Sequence, residues 1–249
     1  MLLRCIILPA LLAAMGLSLR AQDGEWKIGT EVEWVSHQVF RGVEWAGASL
    51  QGAVSLERDA FHARVDAGHS WRSGDPALAG LSAGYGWNLR ESGPSLAVDF
   101  RQQRFSQVAT GVTRSTSEVG LNTHWTIPGG LKPSLAWWHE FRRKADTFEA
   151  SLGTEFPLTG WGAYLEADIA TGWTTANNVI PDASGPMLKD AYGYAGAGLR
   201  LPYRIVGTHW LVVLGARFTE SVGQSRAWSP LRHSGGAETA VTFGVNHDF

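Results

Sequence analysis

The sequence predicts an all-β fold in which one antiparallel, up-and-down sheet closes into a transmembrane β-barrel of about twelve strands. Three observations predict it. Apolar and polar residues alternate along most of the chain, the connections are short and long in turn, and aromatic residues stand at the ends of the apolar faces. Alternation gives each strand one apolar and one polar face. A closed sheet with an apolar outside satisfies every backbone hydrogen bond within lipid.

The first residues have the layout of an export signal. Arg4 precedes an apolar run from Ile6 to Leu17, and small or polar residues follow as far as Ala21. The run is too short for a membrane-spanning helix, which needs roughly 20 apolar residues. We therefore expect residues 1–21 to be a signal peptide and residues 22–249 to form the barrel.

Composition excludes several classes of site. Cys5 is the only cysteine and lies within the signal, so the mature chain carries neither disulfide nor thiolate ligand. The 21 Lys and Arg and 23 Asp and Glu leave no basic footprint for nucleic acid. The histidines show neither the His-x-His nor the His-Glu-x-x-His spacing of metal sites. We therefore expect no cofactor and no nucleic-acid partner.

The alternating segments give the strands in order. Between Phe61 and Trp71, for example, apolar Val65 is flanked by Arg64 and Asp66. Helical spacing is nearly absent, so the whole mature chain reads as one domain. We expect strands to begin near residues 26, 48, 60, 78, 95, 116, 133, 147, 161, 191, 209 and 237.

The connections indicate which membrane the barrel occupies. Short ones cover 57–60, 90–94, 128–132 and 157–160, and long ones cover 37–47, 102–114, 174–190 and 219–236. The connection at 72–77 is short for its class, and the one at 201–208 is long for its own. Bacterial outer-membrane barrels have short periplasmic turns and longer external loops. We therefore expect the outer membrane, with both termini on the periplasmic side.

Aromatic residues mark the height of the apolar band. Phe61 and Trp71 bracket one strand, and Trp161 and Trp173 bracket another. Ten residues at about 3.3 Å each, tilted by about 40°, climb about 25 Å, which matches the apolar band of such barrels. A soluble β-sandwich has no reason to end its strands in this way. We expect a periplasmic girdle of Trp87, Trp125, Phe156 and Phe249 and an outer girdle of Phe105, Phe141 and Phe218.

Strand parity sorts the charged residues. An Arg or Lys facing lipid near the bilayer middle costs about 2–4 kcal/mol, so charges in strands must face inward. Eight strands are filled by side chains and 16–18 leave an open channel, so about twelve favour a narrow pore over a plugged barrel. The residues that we assign to the lumen are Arg64, Asp66, Asp99, Arg101, Glu118, Glu140, Glu149, Glu166, Asp168, Arg200, Arg217 and Glu238.

A loop motif carries a family resemblance. The segment Phe40-Arg41-Gly42, followed by Leu50-Gln51, resembles the TorF family of porins, whose members carry a similar Phe-Arg-Gly just after the first strand and a Gln opening the second. Where members show Ser-Asp-Tyr, this chain has Ser, His and Gln at 36–38. The resemblance implies an outer-membrane diffusion channel without an established substrate. Arg41 either pairs with a lumen carboxylate or satisfies carbonyls of its own turn.

Two other functions compete with a passive channel. One is a barrel with a closed lumen and a structural or surface-binding role. The other is a lipid-facing hydrolase with His139 as base, because His139 shares the outward face with Trp137 and Phe141. Such an enzyme needs a nucleophile beside the base, and Thr154 is the nearest candidate on the flanking strands. An interfacial histidine is the simpler interpretation, so we expect no enzyme.

Three kinds of partner follow from these assignments. Small solutes or ions would occupy the lumen. Outer-membrane lipid and lipopolysaccharide would contact the wall and a basic loop tip, Arg142 to Lys144, since Arg pairs well with phosphate. The ending Asn246-His247-Asp248-Phe249 resembles the C-terminal aromatic signal that the barrel-assembly machinery recognises.

Deleting Phe249 should impair assembly rather than the folded barrel itself. We expect less protein in the outer membrane and more degradation in the periplasm, measured by immunoblot of fractionated cells. Deleting a residue from the 128–132 turn gives a matched control, since it shortens the chain without touching the terminus. Normal levels of folded, Phe249-deleted protein would contradict the assignment.

Overall fold

The computed structural model describes residues 26–41, 43–75, 77–89, 93–106, 115–142, 144–158, 163–179, 188–223 and 237–249. The expected signal peptide, residues 1–21, lies outside these ranges and stays a prediction. No described stretch forms a helix that is both long and apolar enough to cross a membrane.

Fourteen strands make up the described fold, and twelve of them close into one antiparallel barrel. Around the barrel the order is β1-β14-β13-β12-β11-β10-β9-β8-β7-β6-β5-β4. The strands are β1 (Lys27–Val35), β2 (Gln38–Phe40), β3 (Val43–Ala46), β4 (Ser49–Arg58), β5 (Phe61–Ser70), β6 (Leu78–Asn88), β7 (Ser95–Phe105), β8 (Ser115–His124), β9 (Lys132–Glu140), β10 (Ala145–Leu158), β11 (Ala163–Val179), β12 (Leu188–Arg204), β13 (Trp210–Gly223) and β14 (Ala237–Asp248).

The first and last barrel strands pair with each other and close the sheet. Gly29 lies opposite Asp248 and Val35 opposite Thr242, so β1 and β14 are antiparallel and in register over seven residue pairs. On its other side β1 pairs with β4. The remaining two strands, β2 and β3, form a separate hairpin inside the connection from β1 to β4. The fold class predicted from alternation is confirmed.

The register between strands places side chains of the same kind on the same face of the barrel. Phe243 lies opposite Trp34 of β1 and Leu214 of β13, so apolar side chains continue across neighbouring strands on one face. Large apolar side chains are exposed all around the barrel, among them Val65, Ile169 and Leu214. In a closed sheet this face is the outer surface, as the alternation predicted.

The strand boundaries differ from the prediction mainly at the connections. The predicted starts lie within three residues of the observed ones. The connection after β12 is only residues 205–209, because β12 continues as far as Arg204 through Pro202. The connection from β9 to β10 is residues 141–144, which is short for the outer side.

The aromatic girdles are largely where we expected them. Trp87, Phe156 and Phe249 are exposed at the end that carries the termini, and Phe141 and Phe218 are exposed at the other end. Phe105 is an error in the prediction: it is buried and lines a cavity within the barrel. β7 runs without a bulge from Asp99 through Arg101, so position 105 shares their inward parity. Trp161 lies outside the described residues.

A closed barrel should resist denaturing detergent at room temperature, because every strand edge is paired. We expect the purified protein to change gel mobility after boiling. Identical mobility before and after boiling, together with solubility in the absence of detergent, would contradict the closed barrel.

Candidate functional site: a lumen divided by an inward hairpin

The hairpin β2–β3 is anchored to the barrel rim at its first end. The backbone N–H of Ser36 donates to the Val241 carbonyl at 2.9 Å. The Val241 N–H in turn donates to Ser36 Oγ at 2.9 Å. These two bonds hold the segment that leaves β1 against β14.

A second anchor holds the returning end of the hairpin. The Gly47 N–H donates to Asp75 Oδ2 at 2.8 Å, and Ser70 Oγ donates to the same oxygen at 2.8 Å. Arg72 lies 3.6 Å from Glu44, a β3 side chain that is buried. Both ends of the hairpin are therefore fixed, and its position is set relative to the barrel wall.

The tip of the hairpin reaches the opposite wall through Arg41. Its two terminal nitrogens donate to the two carboxylate oxygens of Glu118 at 2.8 and 3.0 Å. The side chains are only 6% and 2% exposed. Bidentate guanidinium–carboxylate pairs are among the strongest side-chain interactions, and Arg41 adopts a positive φ of 50° to make this one. Of the two alternatives for Arg41, pairing with a lumen carboxylate is the one observed.

Two aromatic side chains lie flat on the inner wall beside Arg41. Trp138 packs against Gly120, and a Cβ added there would lie 2.5 Å from the indole ring. The Arg101 guanidinium stands 4.6 Å from the centre of the Trp138 ring and the Arg41 guanidinium 6.0 Å from it. Glycine on the adjacent strand is therefore what allows this ring to lie along the wall under two cations.

Tyr194 on β12 repeats this arrangement. It packs against Gly172, where an added Cβ would lie 2.3 Å from the phenol ring. Its hydroxyl donates to Glu149 Oε2 at 2.6 Å. Tyr194 and Trp138 both line the same cavity as Arg41, so two large rings lie near the tip of the hairpin.

The interior holds two adjoining cavities. One, of about 380 Å³, is bounded by β13, β14, β1 and β4 to β7 and includes Glu33 and Asp66. The other, of about 660 Å³, is bounded by β7 to β13 and includes Trp138 and Glu149. Both are lined by Val39 of the hairpin. β2 therefore lies between two polar lobes of the lumen.

Several inward charges form ion pairs between wall strands, either on adjacent strands or across one intervening strand. Arg64 lies 2.8 Å from Glu31, Arg217 lies 3.1 Å from Asp168, and Arg200 lies 3.8 Å from Glu166. In the barrel order β5 and β7 stand opposite β12 and β13. Basic side chains therefore project from two opposite walls, each with a carboxylate beside it.

The remaining predicted lumen residues also face inward by register. Asp99 lies 2.6 Å from His62 Nε2 and accepts from Asn122. Glu140 is buried opposite Glu118 and accepts from the Arg142 N–H. Glu238 lies opposite Thr219, a residue that lines both cavities. The structure thus brings the predicted set to one interior surface. Gly42 and the Phe40 side chain lie outside the described part.

Sequence reasoning missed the partner of His139. Asp146 faces outward on β10, and its Oδ1 lies 3.0 Å from His139 Nδ1. Parity alone would have shown that Asp146 shares the outward face with Phe148. Thr154, considered as a nucleophile, is eight residues further along β10, or about 27 Å. It therefore cannot serve His139.

No group of three or more His, Cys, Asp and Glu side chains within the described ranges is placed to hold a metal ion.

Comparisons with known proteins give structural similarity only. No protein-family model matches the chain. No curated protein matches it either.

Three solved structures illustrate the similarity. A KdgM porin in complex with disordered oligogalacturonate has 13% sequence identity and a TM-score of 0.54, over 90% of this chain and 99% of its own. The NanC porin has 7% identity and a TM-score of 0.52, over 88% and 98%. The COG4313 outer membrane channel from Pseudomonas putida F1 has 10% identity and a TM-score of 0.52, over 93% and 98%. At these identities the likeness concerns the fold, that of an outer-membrane barrel.

Proposed function

We propose that this protein is a narrow, porin-like channel of the cell outer membrane for passive diffusion of small polar solutes or ions. The observation that carries the proposal is the pair of adjoining polar cavities inside a twelve-stranded barrel. A barrel whose side chains filled the interior would leave no such volume. Similarity in fold to porins and an outer membrane channel supports the same reading.

The hairpin sets the aperture in this proposal. Val39 separates the two lobes, and Arg41 fastens the tip to Glu118. A solute must therefore pass beside the hairpin, through the two lobes that Val39 separates. A barrel with a closed lumen is the second candidate, because the Arg41–Glu118 pair holds the hairpin across the lumen and would also close it.

Further parts of the proposal rest on the sequence. The Phe40-Arg41-Gly42 motif points to the TorF family, and the docked Arg41 supplies a physical role for its central residue. Residues 1–21 would be removed on export. Phe249 would serve the barrel-assembly machinery, and the Phe249 N–H already donates to the Ile28 carbonyl at 2.9 Å, so that the end of the chain stays against β1.

Planar-bilayer recording tests the channel directly. We expect discrete conductance steps from the purified barrel. Silence of folded protein, with the boiling-dependent mobility intact, would favour the closed-lumen alternative.

Replacing Arg41 by Gln should enlarge the single-channel conductance. Removing one partner of a buried ion pair costs about 3–5 kcal/mol, because the other charge is left uncompensated. The hairpin is not part of the barrel sheet, so the cost should undock the tip rather than unfold the wall. Single-channel recording measures the change, and gel mobility confirms that the barrel is folded.

Two further variants make this test specific. Arg64→Gln removes the same charge from a pair with Glu31 in which both partners belong to strands of the barrel wall. This variant should leave the hairpin docked. The double variant Arg41→Gln with Glu118→Gln should regain part of the original conductance, because no buried charge is left unpaired. Equal effects of Arg41→Gln and Arg64→Gln would contradict the role of the hairpin.

The lumen should prefer cations weakly. Inward carboxylates outnumber inward basic side chains, and a narrow pore with low-dielectric walls concentrates counter-ions. The external loops carry basic residues, but these are exposed and screened over about 8 Å at physiological salt. Reversal potentials in a salt gradient should therefore show a cation preference, and a clear anion preference would contradict it.

Neutralising Glu166 and Asp168 together should shift the reversal potential toward anions. Each carboxylate lies beside an arginine, Arg200 and Arg217 respectively, so Glu166→Gln with Asp168→Asn leaves two lumen cations without their partners. A matched double variant, Asp59→Asn with Glu220→Gln, removes two exposed carboxylates from a turn and from the outward face. It should leave the reversal potential almost unchanged.

A further inference from the structure

A polar pair on the outward face marks where the apolar band ends. Asp146 Oδ1 accepts from Trp137 Nε1 at 3.2 Å and lies 3.0 Å from His139 Nδ1. A carboxylate is too costly to hold in hydrocarbon, even when it is partly hydrogen-bonded. The pair therefore lies at the outer boundary of the band. Phe156, exposed ten residues further along β10, lies about 26 Å below at a tilt near 40°.

Directly below this pair, the lipid-facing wall contains a groove of about 750 Å³. Its rim is a row of cross-strand partners, Trp137, Phe148 and Trp173, which are neighbours on β9, β10 and β11. On β10 to β12 the next row toward the periplasm is small: Ala150 lies opposite Thr171, and Thr171 opposite Ala195. On β9 the same row continues with Leu135, which also lines the groove. Large rings beside small side chains make a recess in a wall that is otherwise convex.

Above the pair, the barrel rim is low and basic. β9 and β10 are joined by residues 141–144 alone, whereas β11 continues to Val179, four residues beyond its last partner on β10. Exposed Arg142 and Lys144 lie in this short turn. The taller β11 and β12 stand beside it, so a molecule lying in the groove would place its upper end against two cations.

We propose that this groove and turn form a binding site for a phosphorylated lipid of the outer leaflet. An acyl chain would lie in the recess over Ala150 and Ala195, against the row of rings that includes Trp137 and Trp173. The phosphate would face Arg142 and Lys144, and Trp137, whose Nε1 is already held by Asp146, would keep the upper rim in place. Charge complementarity and the depth of the recess below the polar boundary select a lipid over a soluble anion.

The site is tested with purified, detergent-solubilised barrel and fluorescent lipid A that carries both phosphates. Binding is followed by anisotropy, with dephosphorylated lipid A and inorganic phosphate as separate arms. The double variant Arg142→Gln with Lys144→Gln should weaken binding of the phosphorylated lipid about thirtyfold, since each of the two basic residues near an anionic headgroup contributes about 1 kcal/mol. It should not change binding of the dephosphorylated lipid.

A second variant tests the recess. Ala150→Phe fills it and should weaken binding of both lipids, whereas Ala83→Phe, on the outward face of β6 and away from the groove, should not. Boiling-dependent gel mobility confirms that each variant is folded.

A control double variant removes two basic residues from the periplasmic end of the barrel. Arg58→Gln with Arg204→Gln takes two basic residues from the periplasmic ends of β4 and β12 and should leave the affinity unchanged. Equal loss from both double variants, equal affinity for the two lipids, or displacement by millimolar inorganic phosphate would each overturn the site. None of these results depends on conductance, so the channel proposal stands or fails separately.

Discussion

Closure of the sheet between β1 and β14 is the constraint on which the rest of the structure depends. Within hydrocarbon no water is present to satisfy an exposed strand edge, and each unpaired backbone group costs several kcal/mol. The first and last strands must therefore meet, and they do so over the pairs from Gly29–Asp248 to Val35–Thr242. Once the edges are joined, each residue has only two faces to occupy, lipid or lumen.

That division decides where the charges go and how they are stabilised. Carboxylates and guanidinium groups that cannot face lipid are gathered on one concave surface, where they pair between strands, as Arg64 of β5 does with Glu31 of β1 across β4. Pairing opposite charges lowers the free-energy cost of gathering so many charges on the inner surface. Cavities lined by these polar side chains still remain between the walls. Asp146 faces outward, and two donors, Trp137 and His139, stabilise its carboxylate at the boundary of the apolar band.

Alternation predicted the strands, their approximate starts and the inward set, because side-chain direction in a strand follows a period of two. Alternation could not predict the docked hairpin. The Arg41–Glu118 pair joins residues that are 77 positions apart, and Arg41 lies in a loop whose conformation follows no sequence period. Phe105 was misplaced by its aromatic character, although its parity with Arg101 was correct evidence for an inward position. The outward position of Asp146 follows from its parity with Phe148, but its pairing with His139 is set by register, which a single strand does not reveal.

The hairpin differs from the wall in what holds it. Every wall strand is fixed by backbone hydrogen bonds on both sides, so the wall cannot widen without opening the sheet. The hairpin is a separate two-stranded sheet, and side-chain contacts hold it against the wall. Asp75 binds its base, and Glu118 binds its tip. A two-stranded hairpin is marginal in isolation, and its docked position therefore depends on those contacts. Any change in the width of the lumen that leaves the barrel folded must accordingly occur at the hairpin. The Arg41–Glu118 pair is the contact that holds the hairpin tip in its docked position.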